Sequence, residues 1–164
     1  MATPYTPRDI EFLKLAIAEA HKSVPVESAY CVGAVLVSGG DDKEPRVLAT
    51  GFSRELPGNT HAEECALQKA GDTATRSNNS TPQFPGATMY TTMEPCSRRL
   101  SGNVPCCQRL IEARVARVVL GVKEPPNFVQ CEGLSLLEKG GIEVVYIPGY
   151  EKECLAPNAH IISQ

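Results

Sequence analysis

The stretch TTMEPCSRRLSGNVPCCQRLI, residues 91–111, holds three cysteines within twelve positions and joins two regular elements. The apolar run that leads into it is typical of a buried strand ending at Glu94. The residues from Pro105 onward predict a helix, because proline is favoured at the first helical position. A strand that passes through a loop into a helix is the repeating unit of α/β proteins. The stretch therefore predicts an α/β fold with its cysteines clustered between the two elements.

The segments on either side extend this alternation of strands and helices. TPRD, residues 6–9, predicts a first helix with Thr6 as N-cap and Asp9 in the first turn. Apolar patterns then predict an opening hairpin, three further strands and three further helices, at 31–38, 46–54, 61–70, 87–93, 105–115, 116–122, 133–141 and 142–147. The polar segment 72–86 is predicted to be a surface loop. The order α-β-β-α-β-α-β-α-β predicts a three-layer αβα sandwich around a mixed five-stranded sheet.

Composition and charge exclude several classes of protein. The 164 residues predict one domain spanning 1–164, with the 42% hydrophobic content of a globular protein. A net charge of −3 offers no basic surface for a nucleic-acid backbone, so no nucleic-acid partner is expected. No apolar run approaches the ~20 residues of a membrane span, and the first residues do not resemble a secretory signal. Seven cysteines, an odd number, favour reduced thiols and predict a cytoplasmic, intracellular protein.

Two short motifs combine a histidine with cysteines in a pattern that suits zinc. His61 and Glu63 lie in NTHAEEC, and Cys96 and Cys106 each follow a proline. The zinc-deaminase signature is H-x-E followed by P-C-x-x-C, with the glutamate outside the metal shell, and here the two Pro-Cys cysteines lie ten positions apart. Helical residues two apart point about 200° away from each other, so His61 and Glu63 share a site only if His61 precedes the first helical turn. The motifs predict Zn²⁺ held by His61, Cys96 and Cys106, with a fourth position open for water, as in catalytic zinc sites.

Two other cysteines compete for this ligand set. Cys65 follows His61 by four residues on the same helix face, so a closed shell of four ligands would make a structural zinc in a non-catalytic scaffold. The alanines around Cys65 favour instead a position in the core. Cys107 is the alternative to Cys106, and the repeated Pro-Cys pair favours Cys106.

The glutamate of the first motif predicts hydrolytic deamination. Zinc lowers the pKa of a water molecule from ~16 to near 7, and the hydroxide attacks the ring carbon that bears an amine. Glu63 takes the proton from the water, delivers it to a ring nitrogen, and then protonates the departing amine so that ammonia leaves. The presence of Glu63 favours this interpretation over the scaffold.

At these residues the chain resembles the cytidine-deaminase-like zinc superfamily. Its long gap between Cys96 and Cys106 is similar to the riboflavin-biosynthesis branch, and the segment GVKEPPNFVQCEGLSLLEKGGIEVV, residues 121–145, extends the resemblance. The loop SRRLSGN resembles the fungal-type members, the 2,5-diamino-6-ribitylamino-4(3H)-pyrimidinone 5'-phosphate deaminases. The resemblance implies a cytidine-deaminase-like fold, a pyrimidine phosphate as substrate, 5-amino-6-ribitylaminouracil 5'-phosphate as product, and a homodimer.

Two residues depart from the bacterial members of this branch, so their substrate contacts do not carry over. Ala29 stands where those members have an asparagine before the first strand, and Arg98 stands where they have a histidine two positions after the first zinc cysteine. A phosphate needs cationic or N–H donors, and a pyrimidinone edge suits an amide. The candidates on loops near the predicted strand ends are Arg54, Arg98, Arg99, Lys123, Asn103 and Asn127. Within the same superfamily, a deoxycytidylate, free-base or tRNA adenosine deaminase is the alternative. The tRNA enzyme would need a basic surface and usually has a short Cys-x-x-Cys motif, and this chain has neither.

Overall fold

Five strands form one mixed sheet, and helices connect most of them. The structure is a computed structural model, which describes residues 3–39, 43–74, 82–123 and 132–162. The strands are β1 (Gly33–Val37), β2 (Val47–Phe52), β3 (Thr88–Met93), β4 (Arg117–Val122) and β5 (Glu143–Tyr146). The helices are α1 (Pro7–Ala20), α2 (Ala62–Ala74), α3 (Cys106–Glu112), α4 (Gly133–Lys139), α5 (Glu151–Leu155) and α6 (Ala159–Ile162), with a 3-10 turn at Ala156–Asn158. The predicted α/β order is confirmed.

The strands lie in the order β2-β1-β3-β4-β5. Strand β1 pairs antiparallel with both β2 and β3, whereas β3, β4 and β5 run parallel to one another. The carboxyl ends of the three parallel strands therefore share an edge with the beginning of β1. Ligand sites in open α/β sheets favour this edge.

Helices cover both faces of the sheet, as the predicted three-layer sandwich requires. On one face, Leu13 of α1 and Cys154 of α5 pack with Val35, and on the other, Leu110 of α3 packs with Leu36. Neighbouring residues of a strand point to opposite faces, so β1 contributes to both clusters. All five residues of β1 are buried, which confirms a strand covered on both sides.

Helix α1 begins as its sequence indicates, and its cap forms part of a buried polar cluster. Thr6 and Asp9 form a capping box with Pro7 in the first turn. Asp9 is 4% exposed, and its carboxylate accepts hydrogen bonds from Tyr90 Oη at 2.7 Å and from Arg117 Nη1 at 2.7 Å. The carboxylate thus ties the start of α1 to β3 and β4.

Replacing Asp9 with asparagine is expected to lower the free energy of unfolding by about 2–4 kcal/mol, because the half-buried guanidinium of Arg117 loses its nearest counter-charge. Burial alone would raise the pKa of Asp9, but the hydrogen bonds from Arg117, Tyr90 and Thr6 lower that pKa from 3.8 to about 2. The stabilisation is therefore complete above pH 3.8 and is lost as the pH falls toward 2. Urea unfolding across this range measures the difference between variant and wild type.

Glu11→Gln, at an exposed position on the same helix, is the matched control and should leave the unfolding midpoint unchanged. An Asp9→Asn protein as stable as the wild type at neutral pH would contradict this account.

Helix α2 is longer than predicted. The sequence predicts an end near residue 70, because Gly71 and Asp72 favour turns, but the helix continues to Ala74. A Cβ at Gly71 would lie 2.4 Å from the Pro82 ring, so the glycine permits a close packing contact that keeps the backbone helical. The prediction of a surface loop from residue 72 is wrong for its first residues, and residues 75–81 of that loop lie outside the described residues. Each described helix is too short or too polar to span a bilayer.

Candidate active site

The candidate site lies where β3 ends and α2 begins. A cavity of about 360 Å³ opens there, within the usual size range for small-molecule sites. His61 immediately precedes α2, Cys96 follows β3 by three residues, and Cys106 is the first residue of α3. A Cβ at Gly51 of β2 would lie 2.1 Å from the carbonyl oxygen of Ala62, so this glycine lets the first turn of α2 reach the sheet. The fold thus brings three separate segments to one edge.

His61, Cys96 and Cys106 place one donor atom each within 4.8 Å of one another. His61 Nδ1 lies 3.5 Å from the Sγ of Cys96 and 3.5 Å from the Sγ of Cys106. At a tetrahedral zinc, bonds of about 2.3 Å to sulfur and about 2.0–2.1 Å to nitrogen separate these atoms by roughly 3.5–3.6 Å. The two nitrogen–sulfur distances therefore match those of a tetrahedral zinc site.

The two competing cysteines point elsewhere. Cys65 is buried, and its thiol donates to Thr60 Oγ1 at 3.2 Å. The Cys107 thiol donates to the carbonyl of Pro95 at 3.2 Å. Neither sulfur belongs to the group of three donors that the described residues bring together. Three protein donors rather than four are the number found in catalytic zinc sites.

The two thiols of the donor set differ in acidity before any metal binds. The hydrogen bond from Cys106 lowers the pKa of Cys96 to about 4, with help from His61 and against the effect of burial. The same hydrogen bond, together with burial, raises the pKa of Cys106. The Cys106 backbone N–H also donates to Cys96 Sγ at 3.2 Å. Cys96 is thus a thiolate at neutral pH, ready to bind a cation.

Glu63 lies in the first turn of α2 and faces the same cavity. Its carboxyl group is buried, and burial together with the Cys96 thiolate raises its pKa. Thr91 of β3 places its hydroxyl 3.2 Å from Glu63 Oε1 and 2.8 Å from the Met93 carbonyl. A carboxyl group whose pKa is raised and that lies beside three metal donors is suited both to accept and to donate a proton.

Sequence reasoning did not identify Thr91 or Glu94. Thr91 belongs to β3, and Glu94 is buried and lines the cavity. The sequence held a signal for both residues. A polar residue at the end of a buried strand and next to a metal motif faces either the core or the functional site, so it is a candidate for the site.

The residues predicted to contact the substrate are distributed unevenly. Arg54 and Arg98 line the cavity, whereas Asn103 and Lys123 are exposed and are not among the described residues that line it. Asn127 lies outside the described residues. The Arg54 backbone has φ 64°, and its guanidinium donates to Ser23 Oγ at 2.9 Å, next to the loop that enters β1.

Arg99 differs from its neighbour Arg98. Arg98 is exposed, whereas the side chain of Arg99 is 2% exposed and forms an ion pair with Glu64 at 2.6 Å. Arg99 also lines the cavity, but both of its terminal nitrogens already bond within the protein, to Glu64 and to the Asn59 carbonyl, which argues against the predicted contact with a phosphate.

Comparison with known proteins places these observations among deaminases. The profile of the cytidine and deoxycytidylate deaminase zinc-binding region matches residues 6–122. The chain is 46% identical over 145 residues to a Schizosaccharomyces pombe diaminohydroxyphosphoribosylamino-pyrimidine deaminase, covering 88% of this chain and 33% of that protein. It is 38% identical over 113 residues to the Escherichia coli riboflavin biosynthesis protein RibD, covering 69% of this chain and 26% of that protein. The chain thus spans about a third or less of the length of these relatives.

A solved structure extends the match to three dimensions. The Aspergillus oryzae Rib2 deaminase, a C-terminal deletion mutant in complex with DARIPP, superposes with a TM-score of 0.78 and 35% identity. The match covers 91% of this chain and 88% of that one. The arrangement of sheet and helices is therefore shared over nearly the whole chain.

Proposed function

This chain belongs to the cytidine and deoxycytidylate deaminase zinc-binding family, and we propose that it hydrolytically deaminates 2,5-diamino-6-ribitylamino-4(3H)-pyrimidinone 5'-phosphate. The products are 5-amino-6-ribitylaminouracil 5'-phosphate and ammonia. The observation that carries the proposal is the group of His61, Cys96 and Cys106 donors, with buried Glu63 on the cavity that His61 and Cys96 line. The names of the Schizosaccharomyces pombe and Aspergillus oryzae relatives support the substrate class.

The three donors would hold zinc through His61 Nδ1 and the two cysteine sulfurs. Two thiolates and a neutral imidazole balance the charge of Zn²⁺, which favours binding in a partly buried site. Zinc held in this way lowers the pKa of a water molecule to about 7, so that a nucleophile forms at neutral pH.

Glu63 moves the protons of the reaction. Its carboxylate takes a proton from the attacking water and delivers it to a ring nitrogen of the pyrimidinone. The water oxygen forms a bond to the carbon that carries the amine, and Glu63, deprotonated again, takes the remaining proton from the hydroxyl now on that carbon and donates it to the amine. The carbon–nitrogen bond breaks and ammonia leaves, so that one water is consumed for each ammonia released. Because the carboxyl group is 4% exposed, bulk water does not compete for these protons.

Ammonia release by the zinc-loaded protein tests the proposed function. The panel contains the ribitylamino-pyrimidinone 5'-phosphate, its dephosphorylated form, the ribosyl analogue, dCMP, cytosine and guanine. We expect release from the ribityl phosphate, with a specificity constant ~10- to 10²-fold above the others, because a charged group bound by the protein contributes roughly 1.5–3 kcal/mol. Turnover of dCMP or a free base in its place would contradict the assigned substrate.

Arg98 is proposed as the phosphate contact, because it is exposed at the rim of the cavity. Arg98→Ala should raise KM for the phosphorylated substrate by ~10- to 100-fold, the value of one charge-assisted hydrogen bond, and leave kcat nearly unchanged. The dephosphorylated form is the control, because its KM should not move. An equal rise in KM for both forms would show that Arg98 does not bind the phosphate. Further substrate contacts are proposed at Arg54, Asn103, Lys123 and Asn127.

We further propose that the protein works as a homodimer in the cytoplasm. The resemblance to a superfamily whose members commonly assemble supports the dimer. The six described cysteines are free of disulfides, and thiolate ligands require a reducing compartment. Sedimentation of the purified chain at the mass of one chain would contradict the dimer.

A further inference from the structure

Arg99 lies between the segment that carries His61 and the segment that carries Cys96 and Cys106. It lies on the loop of residues 97–105, called here the cysteine loop, which joins Cys96 to Cys106. Its neighbour Leu100 is 81% exposed, whereas the Arg99 side chain turns inward and is 2% exposed. A buried arginine is costly unless its charge is paired and its N–H groups are bonded. Both terminal nitrogens of Arg99 are bonded, whereas its Nε has no hydrogen-bond partner among the described residues.

The guanidinium of Arg99 bonds to residues on both sides of His61. Nη1 lies 2.6 Å from Glu64 Oε2, and Nη2 donates to the Asn59 carbonyl at 2.6 Å. Asn59 precedes His61 by two residues, and Glu64 follows it by three. Nη1 also lies 3.4 Å from the Val104 carbonyl, within the cysteine loop itself. One side chain therefore connects the segment that carries the histidine to the segment that carries the cysteines.

Arg109 of α3 reinforces this connection from the third segment. Its Nη2 lies 3.6 Å from Glu64 Oε1, and its Nε donates to the Val104 carbonyl at 3.2 Å. Glu64 thus faces two arginines, one from the cysteine loop and one from the helix that begins at Cys106. The loop, α2 and α3 meet at a single carboxylate.

We propose that Arg99 is a positioning residue for the zinc centre, which holds His61 in register with Cys96 and Cys106 through Glu64 and Asn59. A planar guanidinium directs its N–H groups at fixed angles, so it can set the relative position of a carboxylate and a carbonyl. The inference rests on the zinc centre of the proposed function and concerns the affinity of that centre for metal. The inference does not depend on which substrate the protein binds.

Zinc affinity of the full chain, measured by competition with a chromogenic chelator, tests this role. Arg99→Gln and Glu64→Gln should each weaken zinc binding by ~10- to 100-fold, the usual loss when a residue that orients metal ligands is changed. Arg99→Lys should weaken it as well, because an ammonium keeps the charge but lacks the planar fork. The double variant Arg99→Gln/Glu64→Gln should lose little more than either single variant, since both remove the same contact.

Two controls separate positioning from general destabilisation. Arg8→Gln removes an exposed ion pair with Glu44 at 3.5 Å and should leave zinc affinity at the wild-type value. Asp9→Asn destabilises the other end of β3 and should also bind zinc normally. If Arg99→Gln does not fold, Glu64→Gln decides the question, because Glu64 holds the other half of the same pair.

Wild-type zinc affinity in the folded Arg99 and Glu64 variants would overturn the inference. Full affinity in Arg99→Lys together with a loss in Arg99→Gln would also overturn it, because that result would assign the effect to charge alone. Failure of the wild type to bind zinc would overturn both this inference and the proposed function. Zinc binding without deamination of the ribityl phosphate would contradict the proposed substrate but leave the role of Arg99 intact.

Discussion

Replacing Glu63 with glutamine is expected to lower kcat by ~10³-fold or more, with zinc content and fold unchanged. Glutamine has the shape of glutamate and keeps an oxygen that can accept the hydrogen bond from the Thr91 hydroxyl, now 3.2 Å from Glu63 Oε1. Its amide does not take up a proton from water or pass one to the departing amine. The comparison requires kcat from ammonia release and zinc content by elemental analysis on the same preparation.

Glu112→Gln is the matched control for this variant. Glu112 ends α3 on the exposed surface, where it accepts a hydrogen bond from Gln108 at 2.9 Å. Its replacement should leave kcat at the wild-type value. Near-normal turnover in Glu63→Gln would refute the proposed proton transfer, because no other proton carrier has been assigned in the site.

Replacing His61 with alanine is expected to weaken zinc binding by more than ~100-fold. This loss exceeds the ~10- to 100-fold expected when a residue that only orients a metal ligand is changed. The imidazole is the only nitrogen donor in the described group of three, and the two sulfurs that remain do not complete a catalytic zinc site. Zinc content after dialysis against a weak chelator measures the effect. Circular dichroism shows whether the fold survives.

Cys107→Ala and Cys106→Ala form a matched pair for the same measurement. Both cysteines are buried in the first turn of α3, but only Cys106 directs its sulfur toward His61 Nδ1, at 3.5 Å. Cys106→Ala should lose zinc and Cys107→Ala should retain it. Full zinc occupancy in His61→Ala, or its loss in Cys107→Ala alone, would contradict the proposed ligand set.

The strand and helix pattern could be predicted from the sequence because apolar periodicity and proline positions are local signals. The apolar run at 31–38 is β1, and the TPRD start of α1 forms the predicted capping box. The end of α2 was predicted four residues too early, because the contact of Gly71 with Pro82 is tertiary. At this position the packing contact outweighs the local preference of Gly71 and Asp72 for a turn.

In the site, as in the fold, local sequence signals predict some features and tertiary contacts determine the others. Motif spacing predicts that His61, Glu63, Cys96 and Cys106 meet. The structure brings the donor atoms of His61, Cys96 and Cys106 together and places Glu63 on the cavity that His61 and Cys96 line. Arg98 and Arg99 are adjacent and chemically identical in the sequence, so the sequence does not distinguish an exposed cation from a buried one. Only the fold, which places Glu64 2.6 Å from Arg99, separates their roles.

The most direct test of the central claim is a turnover experiment in water labelled with heavy oxygen. The zinc-loaded protein is incubated with the ribitylamino-pyrimidinone 5'-phosphate, and the product is examined by mass spectrometry alongside an ammonia assay. The account predicts one labelled oxygen in the pyrimidine ring carbonyl of each product molecule and one ammonia released for each. Absence of turnover, or a product that carries no label, would contradict hydrolytic deamination at this site.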